Sequence, residues 1–153
     1  MAETKYGKYI VTRPKQMPRP PDTTDEEIKR REEFFKVPMY IDEEVVPGAY
    51  YLMGAYWSKV TGRGSPAEEH DHDFDEYLVF LGTNPDDPHD LGGEVEFWLG
   101  GEKHIITETC AVFIPAGVKH APIYFRRIDR PIWYLATGPT NKYKKEISEE
   151  AKK

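Results

Sequence analysis

The chain has 153 residues, of which 39% are hydrophobic and 13% aromatic, and its formal net charge is -6. This length and composition predict one globular domain with a sizeable apolar core, and they exclude an intrinsically disordered chain. The acidic balance, without a dense basic stretch, argues against nucleic acid as a partner.

The sequence also bears on the compartment. Cys110 is the single cysteine, so no disulfide can form within the chain, which suits a reducing cytoplasm. The first residues lack the apolar core of a signal peptide, and no run of eighteen apolar residues occurs. We therefore expect a cytoplasmic protein that does not span a membrane.

Residues 1–39 are expected to lie outside the main domain, as an arm followed by one helix. Pro14, Pro18, Pro20 and Pro21 exclude a helix from the arm and favour an extended chain. The arm can lie as a strand on the domain or on a partner subunit, or it can form a loosely ordered tail.

Residues 24–36 are the best helix candidate of the sequence. Thr24 followed by Glu27 has the spacing of a capping box. Glu27 and Arg31 are an i,i+4 pair in the favourable orientation, as expected of a solvated helix face. Pro38 is expected to end the helix, since proline is not tolerated in a helix interior.

From about residue 40 the pattern changes to short strands with frequent turns, which is typical of a β-sandwich or barrel over residues 40–140. Val95, Phe97 and Leu99 alternate with polar residues, and Gly100 with the next glycine predicts a two-residue hairpin. Strands are expected at 50–57, 77–81, 95–99, 102–107, 111–114, 121–127 and 132–136. The Lys- and Glu-rich end, 141–153, is expected to be a tail or a frayed helix.

The densest chemistry in the sequence is the group His70, His72 and Glu76. Imidazole nitrogens and carboxylate oxygens are ligands of divalent transition metals. Both histidines point to one side of a strand, but six residues of straight strand span about 20 Å, too far for Glu76 to share an ion with His70. Residues 73–75 are therefore expected to turn, so that Glu76 opens the next strand and faces the histidines.

A third histidine, His120, follows Pro115 and Gly117, which predict a tight turn after a buried strand. His120 then begins the returning strand and is the candidate for a further metal ligand. Tyr124 shares the strand parity of His120 and is expected to line the same interior. Tyr124 and Phe97 are the candidates for contact with a substrate.

Other polar residues near these segments have simpler interpretations. One of Asp71, Asp73 and Asp75 can orient a ligand histidine, although aspartates at a turn are more often surface residues. His89 and His104 are expected to be exposed. The whole His-Asp segment can also be read as a solvated loop, which is the ordinary alternative to a metal site.

The two histidine segments resemble the two sequence motifs of the cupin superfamily. The pattern G-x5-H-x-H-x3-E runs from Gly64 to Glu76, and the pattern P-x-G-x-x-H runs from Pro115 to His120. The resemblance covers about residues 50–137.

This chain departs from the cupin motifs at three positions that are not ligands. Gly82 closes the first motif one residue early, Thr109 replaces the opening glycine of the second motif, and Tyr124 replaces its closing asparagine.

The resemblance implies an all-β fold, a single cupin-like jelly-roll β-barrel, with the N-terminal arm and one helix packed outside it. It also implies a homodimer in which the N-terminal strand is a plausible swapped element. The matching positions are the metal ligands in many cupins, so the resemblance assigns one divalent transition metal ion (Fe, Mn, Zn, Ni or Cu) to His70, His72, Glu76 and His120.

Three neutral imidazoles and one carboxylate leave a divalent ion with a charge of about +1 and with positions for water, dioxygen or a substrate. This predicts a metal-dependent enzyme for a small organic substrate that is anionic, with aromatic and sugar-derived compounds among the candidates. Oxygenation, isomerisation, decarboxylation and C–C cleavage remain open, with Glu76 or a metal-bound water as base. The alternatives are a non-catalytic module that binds a small molecule or a metal, and a storage or structural cupin without metal.

Overall fold

The computed structural model describes residues 4–19, 21–60, 67–144 and 146–147. Pro20 of the arm and Gly64 of the first motif lie outside these ranges. The described residues form a short 3-10 helix at Gly7–Tyr9, one α-helix and ten strands. These are α1 (Asp25–Glu32), β1 (Phe35–Ile41), β2 (Tyr51–Trp57), β3 (His70–Asp71), β4 (Glu76–Leu81), β5 (Asp90–Leu99), β6 (Glu102–Glu108), β7 (Cys110–Ile114), β8 (His120–Ile128), β9 (Ile132–Gly138) and β10 (Glu146–Ile147).

The strands form two five-stranded antiparallel sheets, with the orders β1-β2-β9-β4-β7 and β10-β3-β8-β5-β6. Apolar side chains of both sheets share one core: Phe80 of β4 lies with its ring 6.2 Å from Phe97 of β5 and 6.3 Å from Phe125 of β8. Burial of each such ring contributes about 1.5–3 kcal/mol to folding. The expected all-β jelly-roll barrel with one peripheral helix is confirmed.

The helix α1 begins where the sequence predicts. The hydroxyl of Thr24 accepts a hydrogen bond from the backbone N–H of Glu27, and the Glu27 carboxylate accepts one from the N–H of Thr24, which completes the capping box. The Glu27 carboxylate is thus engaged at the N-cap. Arg31, expected to pair with Glu27, instead lies over the ring of Phe35, 5.9 Å from its centroid.

The helix ends four residues earlier than predicted, and β1 takes over. Phe35 is buried, with its ring 4.6 Å from that of Trp57 in β2, and this packing outweighs the local helical pattern. Pro38, expected to end the helix, lies inside β1 at the register shift between Lys36 and Met39. β1 is an edge strand, where the missing N–H of a proline is tolerated.

All seven predicted strands are present, with shifted ends. Gly100 and Gly101 form the predicted hairpin turn, with φ values of 59° and 80°, between the paired residues Leu99 and Glu102. Positive φ at both positions is characteristic of the type I′ turn. The sequence did not predict β1 and β10, and β5 begins five residues earlier than predicted.

Within the single chain, the N-terminal arm forms no strand on the domain, and the C-terminal segment forms a short strand instead of a helix. Residues 4–19 contain no strand, and Tyr6, Tyr9 and Ile10 are exposed. The described part of the 141–153 segment is not helical and includes β10, which pairs with β3. Among the described helices, none combines the length and the hydropathy that crossing a membrane requires.

Candidate metal centre

The four candidate ligands are brought together from both sheets. His70 of β3 is paired directly with His120, the first residue of β8. Glu76 opens β4 in the other sheet. The chain bends over residues 73–75 between the two sheets, so the predicted turn is confirmed. The bend places the Glu76 carboxylate against the histidines, with Oε1 3.6 Å from Nε2 of His72 and 3.4 Å from Nε2 of His120.

Two hydrogen bonds join the loop of the first motif to the turn of the second motif. The N–H of Gly117, where φ is 82°, donates to the carbonyl of His72 at 2.8 Å. The N–H of Ala116 donates to Oδ1 of Asp75 at 2.9 Å. Asp75 therefore joins the two motifs, while Asp73 is exposed as expected of a surface turn residue.

Each of the three imidazoles is oriented by a backbone carbonyl. Nδ1 of His70 lies 2.5 Å from the carbonyl of Glu68, Nδ1 of His72 lies 2.5 Å from that of Lys144, and Nδ1 of His120 lies 2.9 Å from that of Val118. A carbonyl oxygen only accepts, so Nδ1 carries the hydrogen in each ring. Each Nε2 then keeps a lone pair, which is the form in which histidine binds a metal.

Among the described residues, ligand nitrogens of His70, His72 and His120 lie within 4.8 Å of one another. The three side chains are buried, and Nε2 of His72 and of His120 have no hydrogen-bond partner. Buried acceptors that face one another and a carboxylate are unfavourable without a cation between them. The residues therefore fit one divalent transition metal ion.

The ionisation of Glu76 agrees with a role as ligand. Burial raises the pKa of its carboxyl group, whereas hydrogen bonds and positive charge from His120 and His72, in rings that carry a proton at Nε2, lower it more and leave it below its ordinary value; a metal cation at Nε2 would favour the carboxylate in the same direction. Glu76 is therefore a carboxylate at neutral pH.

The candidate centre opens on a cavity of about 450 Å³ with mostly apolar walls. His70, Glu76 and His120 contribute to the lining. Trp57 and Phe125, which also line the cavity, stack with their ring centroids 4.4 Å apart. The volume lies in the range of small-molecule sites.

The cavity lining includes tyrosines that were not identified as site residues from the sequence, among them Tyr51, Tyr134 and Tyr143. The Tyr143 hydroxyl lies 3.3 Å from Nε2 of His70, and its ring centroid lies 5.0 Å from that of His72. Burial, and to a smaller extent the charge of Glu76, raises the pKa of all three phenols. They remain protonated and can donate hydrogen bonds into the cavity.

The position of Tyr143 corrects the expectation that residues from 141 onward form only a tail. This segment contributes the phenol beside His70 and, through the carbonyl of Lys144, the hydrogen bond that orients His72. A single aromatic residue between two lysines was the only sequence signal for this role.

Tyr124 and Phe97 are not among the described residues that line the cavity, which corrects their assignment to the substrate site. Phe97 is buried in the core against Phe80. Tyr124 packs outside the cavity, with the Arg126 guanidinium 4.4 Å from its ring centroid.

The reason for the error at Tyr124 is a β-bulge. His120 pairs with Leu99 while Ile123 pairs with Phe97, so β8 has one residue more than β5 in this interval. Because of the extra residue, the side chains that follow it in β8 point to the opposite face from the one that simple alternation from His120 predicts. Ile123 and Phe125 therefore line the cavity in place of Tyr124.

His89 and His104, which were predicted to be exposed, behave as expected. His89 is exposed, and the side chain of His104 is 47% exposed beside Glu102. Cys110 is half-buried against the core, and burial raises the pKa of its thiol.

No model of a known protein family matches the sequence, and no curated protein matches it either. Solved structures do match. An oxalate decarboxylase of Lactobacillus farciminis, in a formate complex, is 19% identical with a TM-score of 0.52, over 77% of this chain and 32% of that chain. A cupin-2 domain of Rhodospirillum rubrum is 13% identical with a TM-score of 0.47, and the match covers 76% of this chain and 66% of that chain. A structure of DMSP lyases is 15% identical with a TM-score of 0.44, and the match covers 67% of this chain and 45% of that chain.

This chain thus spans less than half the length of the matched decarboxylase and lyase chains. At these identities the likeness concerns the fold, and the oxalate decarboxylase, with the TM-score above 0.5, supports the assignment. The resemblance of the two histidine motifs is confirmed at the level of the fold: the chain has the fold of the cupin superfamily.

Proposed function

We propose that the chain is a metal-dependent enzyme that acts on a small organic anion. The proposal rests on one arrangement: the buried imidazoles of His70, His72 and His120, each with Nδ1 held by a backbone carbonyl, face the carboxylate of Glu76 beside an apolar cavity. A structural metal site is closed, whereas this one lies against a cavity of about 450 Å³ that can admit a substrate.

The composition of the cavity wall supports an organic anion as substrate. Aromatic rings such as those of Trp57 and Phe125 supply apolar contact area. Arg31 and Lys144 bring positive charge to the same wall, and among the described residues neither has a carboxylate at ion-pair distance. The oxalate decarboxylase with this fold acts, by its name, on a small carboxylate, which agrees with this substrate class.

A divalent ion held by the three histidines and Glu76 would act as a Lewis acid on a carbonyl or carboxylate oxygen of the substrate. The phenols of Tyr51, Tyr134 and Tyr143 can donate hydrogen bonds to an oxygen that gains negative charge. We propose Glu76, a buried carboxylate of the same wall, as the proton acceptor. The arrangement favours reactions with an enolate-like transition state: isomerisation, decarboxylation or C–C cleavage.

The test combines metal analysis with an assay for proton removal. The purified protein is reconstituted with Fe, Mn, Zn, Ni or Cu, and bound metal is measured by mass spectrometry. Each form is then incubated in D₂O with a panel of 2-oxo and 2-hydroxy acids, and deuterium exchange and new products are followed by NMR. We expect about one ion per chain and metal-dependent exchange. His72→Ala should reduce both, and Glu76→Gln should lower metal affinity and also abolish exchange in the protein that is still loaded with metal.

His104→Ala is the matched control, because it removes an exposed imidazole of the same fold. Oxygen uptake without anaerobic exchange would assign an oxygenase instead. Bound metal without exchange, uptake or product would favour the non-catalytic binding module. Absence of bound metal after every reconstitution would contradict the metal site itself.

A further inference from the structure

Arg31 is a cationic side chain in the wall of the cavity beside the candidate metal centre. It belongs to α1, which lies outside the barrel. It lies in the last turn of α1, and its guanidinium sits over the ring of Phe35, 5.9 Å from the centroid. Both residues line the cavity that His70, Glu76 and His120 also line. A molecule in this cavity can therefore contact the candidate metal centre and Arg31 together.

Most other cations of this wall are already neutralised. Three of them form ion pairs with carboxylates: Lys15 with Asp42 at 2.5 Å, Arg19 with Asp25 at 2.9 Å and Lys142 with Glu44 at 2.6 Å. Among the described residues, no carboxylate lies at ion-pair distance from Arg31 or from Lys144, which also lines the cavity. Lys144 is exposed to solvent, whereas Arg31 is half-buried.

A half-buried guanidinium loses part of its hydration, and for Arg31 the attraction of the neighbouring Glu32 carboxylate offsets only part of this cost. Burial accordingly lowers the pKa of Arg31 from its ordinary value, although the group remains cationic at neutral pH. The ring of Phe35 supplies a cation–π contact on one face and leaves the N–H donors available.

We propose that Arg31 binds a distal carboxylate of the substrate, and that the substrate is an organic dianion. One end of the substrate, a 2-oxo or 2-hydroxy acid group, would reach the metal centre, and the other end would pair with Arg31. The carbon chain between the two ends would lie against Phe35, Trp57 and Phe125. A carboxylate matches the planar guanidinium in a bidentate pair. This inference rests on the proposed function for the metal end and names the substrate class of the same site.

The test uses matched probe pairs with the Zn²⁺-loaded protein, which is redox-inert. The pairs are 2-oxohexanoate with 2-oxohexanedioate, and 2-oxooctanoate with 2-oxooctanedioate, so that within a pair the probes differ in the distal carboxylate. Binding is measured by isothermal titration calorimetry. We expect at least one dioate to bind about tenfold or more tightly than its monoacid. Arg31→Gln should remove this preference, because it lowers the affinity for the dioate far more than the affinity for the monoacid.

Arg31→Lys should keep part of the preference, because it keeps the charge and loses the bidentate geometry. Arg30→Gln is the matched control: it removes the same charge from an exposed position of the same helix and should leave the preference intact. Failure of every dioate to bind more tightly than its monoacid would overturn the inference, as would a preference that persists in Arg31→Gln.

The two proposals fail separately. If the dioate preference depends on Arg31 but is the same with and without Zn²⁺, the inference about Arg31 stands and the metal end of the proposed site is wrong. If monoacids bind only to the Zn²⁺ form and Arg31→Gln changes nothing, the metal end stands and Arg31 has no role in specificity.

Discussion

The hydroxyl of Tyr143 lies 3.3 Å from Nε2 of His70, the ring nitrogen that remains available for a metal. Nδ1 of the same ring is held by the carbonyl of Glu68, so the phenol and a metal ion compete for one lone pair. The ring of Tyr143 is also packed against Tyr51, with centroids 5.0 Å apart, so its position does not depend on the hydroxyl alone.

Tyr143→Phe is therefore expected to bind Zn²⁺ more tightly than the parent protein. The substitution removes a hydrogen bond of about 1 kcal/mol from the metal-free state and keeps the ring packing, which corresponds to a gain in affinity of about fivefold. Titration against a competing chelator measures this change. Tyr9→Phe, at a position 59% exposed, is the control and should bind as the parent does. Weaker binding in Tyr143→Phe would show instead that the phenol supports the bound ion.

Asp75 is expected to influence metal affinity without contacting an imidazole. Its carboxylate accepts from the N–H of Ala116 in the turn that precedes His120, and so it fixes the distance between the two motif loops. Asp75→Ala should lower Zn²⁺ affinity about tenfold, in the range found for residues that support metal ligands.

The control for Asp75 is Asp73→Ala, which removes an exposed carboxylate from the same bend. The same chelator titration compares the two variants at matched ionic strength. Equal losses in both would mean that general charge near the centre, and not the bond to Ala116, determines the affinity.

Local patterns in the sequence were sufficient to predict those features of the fold and of the site that depend only on local geometry. The capping box at Thr24 and the hairpin at Gly100 involve neighbours in the chain, and both are present. The bend before Glu76 followed from a distance argument: without it, Glu76 and His70 cannot share one ion.

The sequence could not predict what depends on distant packing. A bulge in β8, visible only in its pairing with β5, moved Tyr124 out of the cavity. Phe35 left the helical pattern because Trp57, far along the chain, buries its ring. Tyr143 and Arg31 reach the cavity from segments at opposite ends of the chain, where no periodicity links them to His70.

Gly82 is expected to tolerate no side chain. A Cβ at this position would lie 1.9 Å from the carbonyl oxygen of Asp90, which is backbone and cannot turn aside. The N–H of Gly82 donates to Oγ1 of Thr109, so the residues at two departures from the cupin motifs contact each other. Gly82→Ala should destabilise the protein by about 3 kcal/mol or more, measured by urea unfolding.

The comparison variant is Gly100→Ala. No atom lies within 4 Å of a Cβ added at Gly100, but the φ of this residue is +59°. The substitution should therefore lower the free energy of unfolding only through backbone strain, by about 1–2 kcal/mol. If both alanine variants lose the same stability, steric contact with Asp90 is not the reason for glycine at position 82.

Glu44 is expected to hold the N-terminal arm to the C-terminal segment in a pH-dependent way. Its carboxylate lies 2.6 Å from Nζ of Lys142 and 2.7 Å from Nζ of Lys15, two residues that line the cavity. These lysines, Lys142 first and Lys15 second, lower the pKa of Glu44 from 4.5 to about 2. A lowered pKa means that the link is complete above pH 4.5 and is lost as the pH falls toward 2.

Hydrogen exchange of peptides from residues 11–19 and 139–144 should therefore accelerate between these pH values, after correction for the intrinsic pH dependence of exchange. Glu44→Gln should show the faster exchange already at neutral pH, and high salt should act in the same direction because exposed ion pairs are screened. Glu43→Gln removes a neighbouring exposed carboxylate and should exchange like the parent protein. Unchanged exchange in Glu44→Gln would mean that the buried Asp42, which also pairs with Lys15, is sufficient to hold the arm.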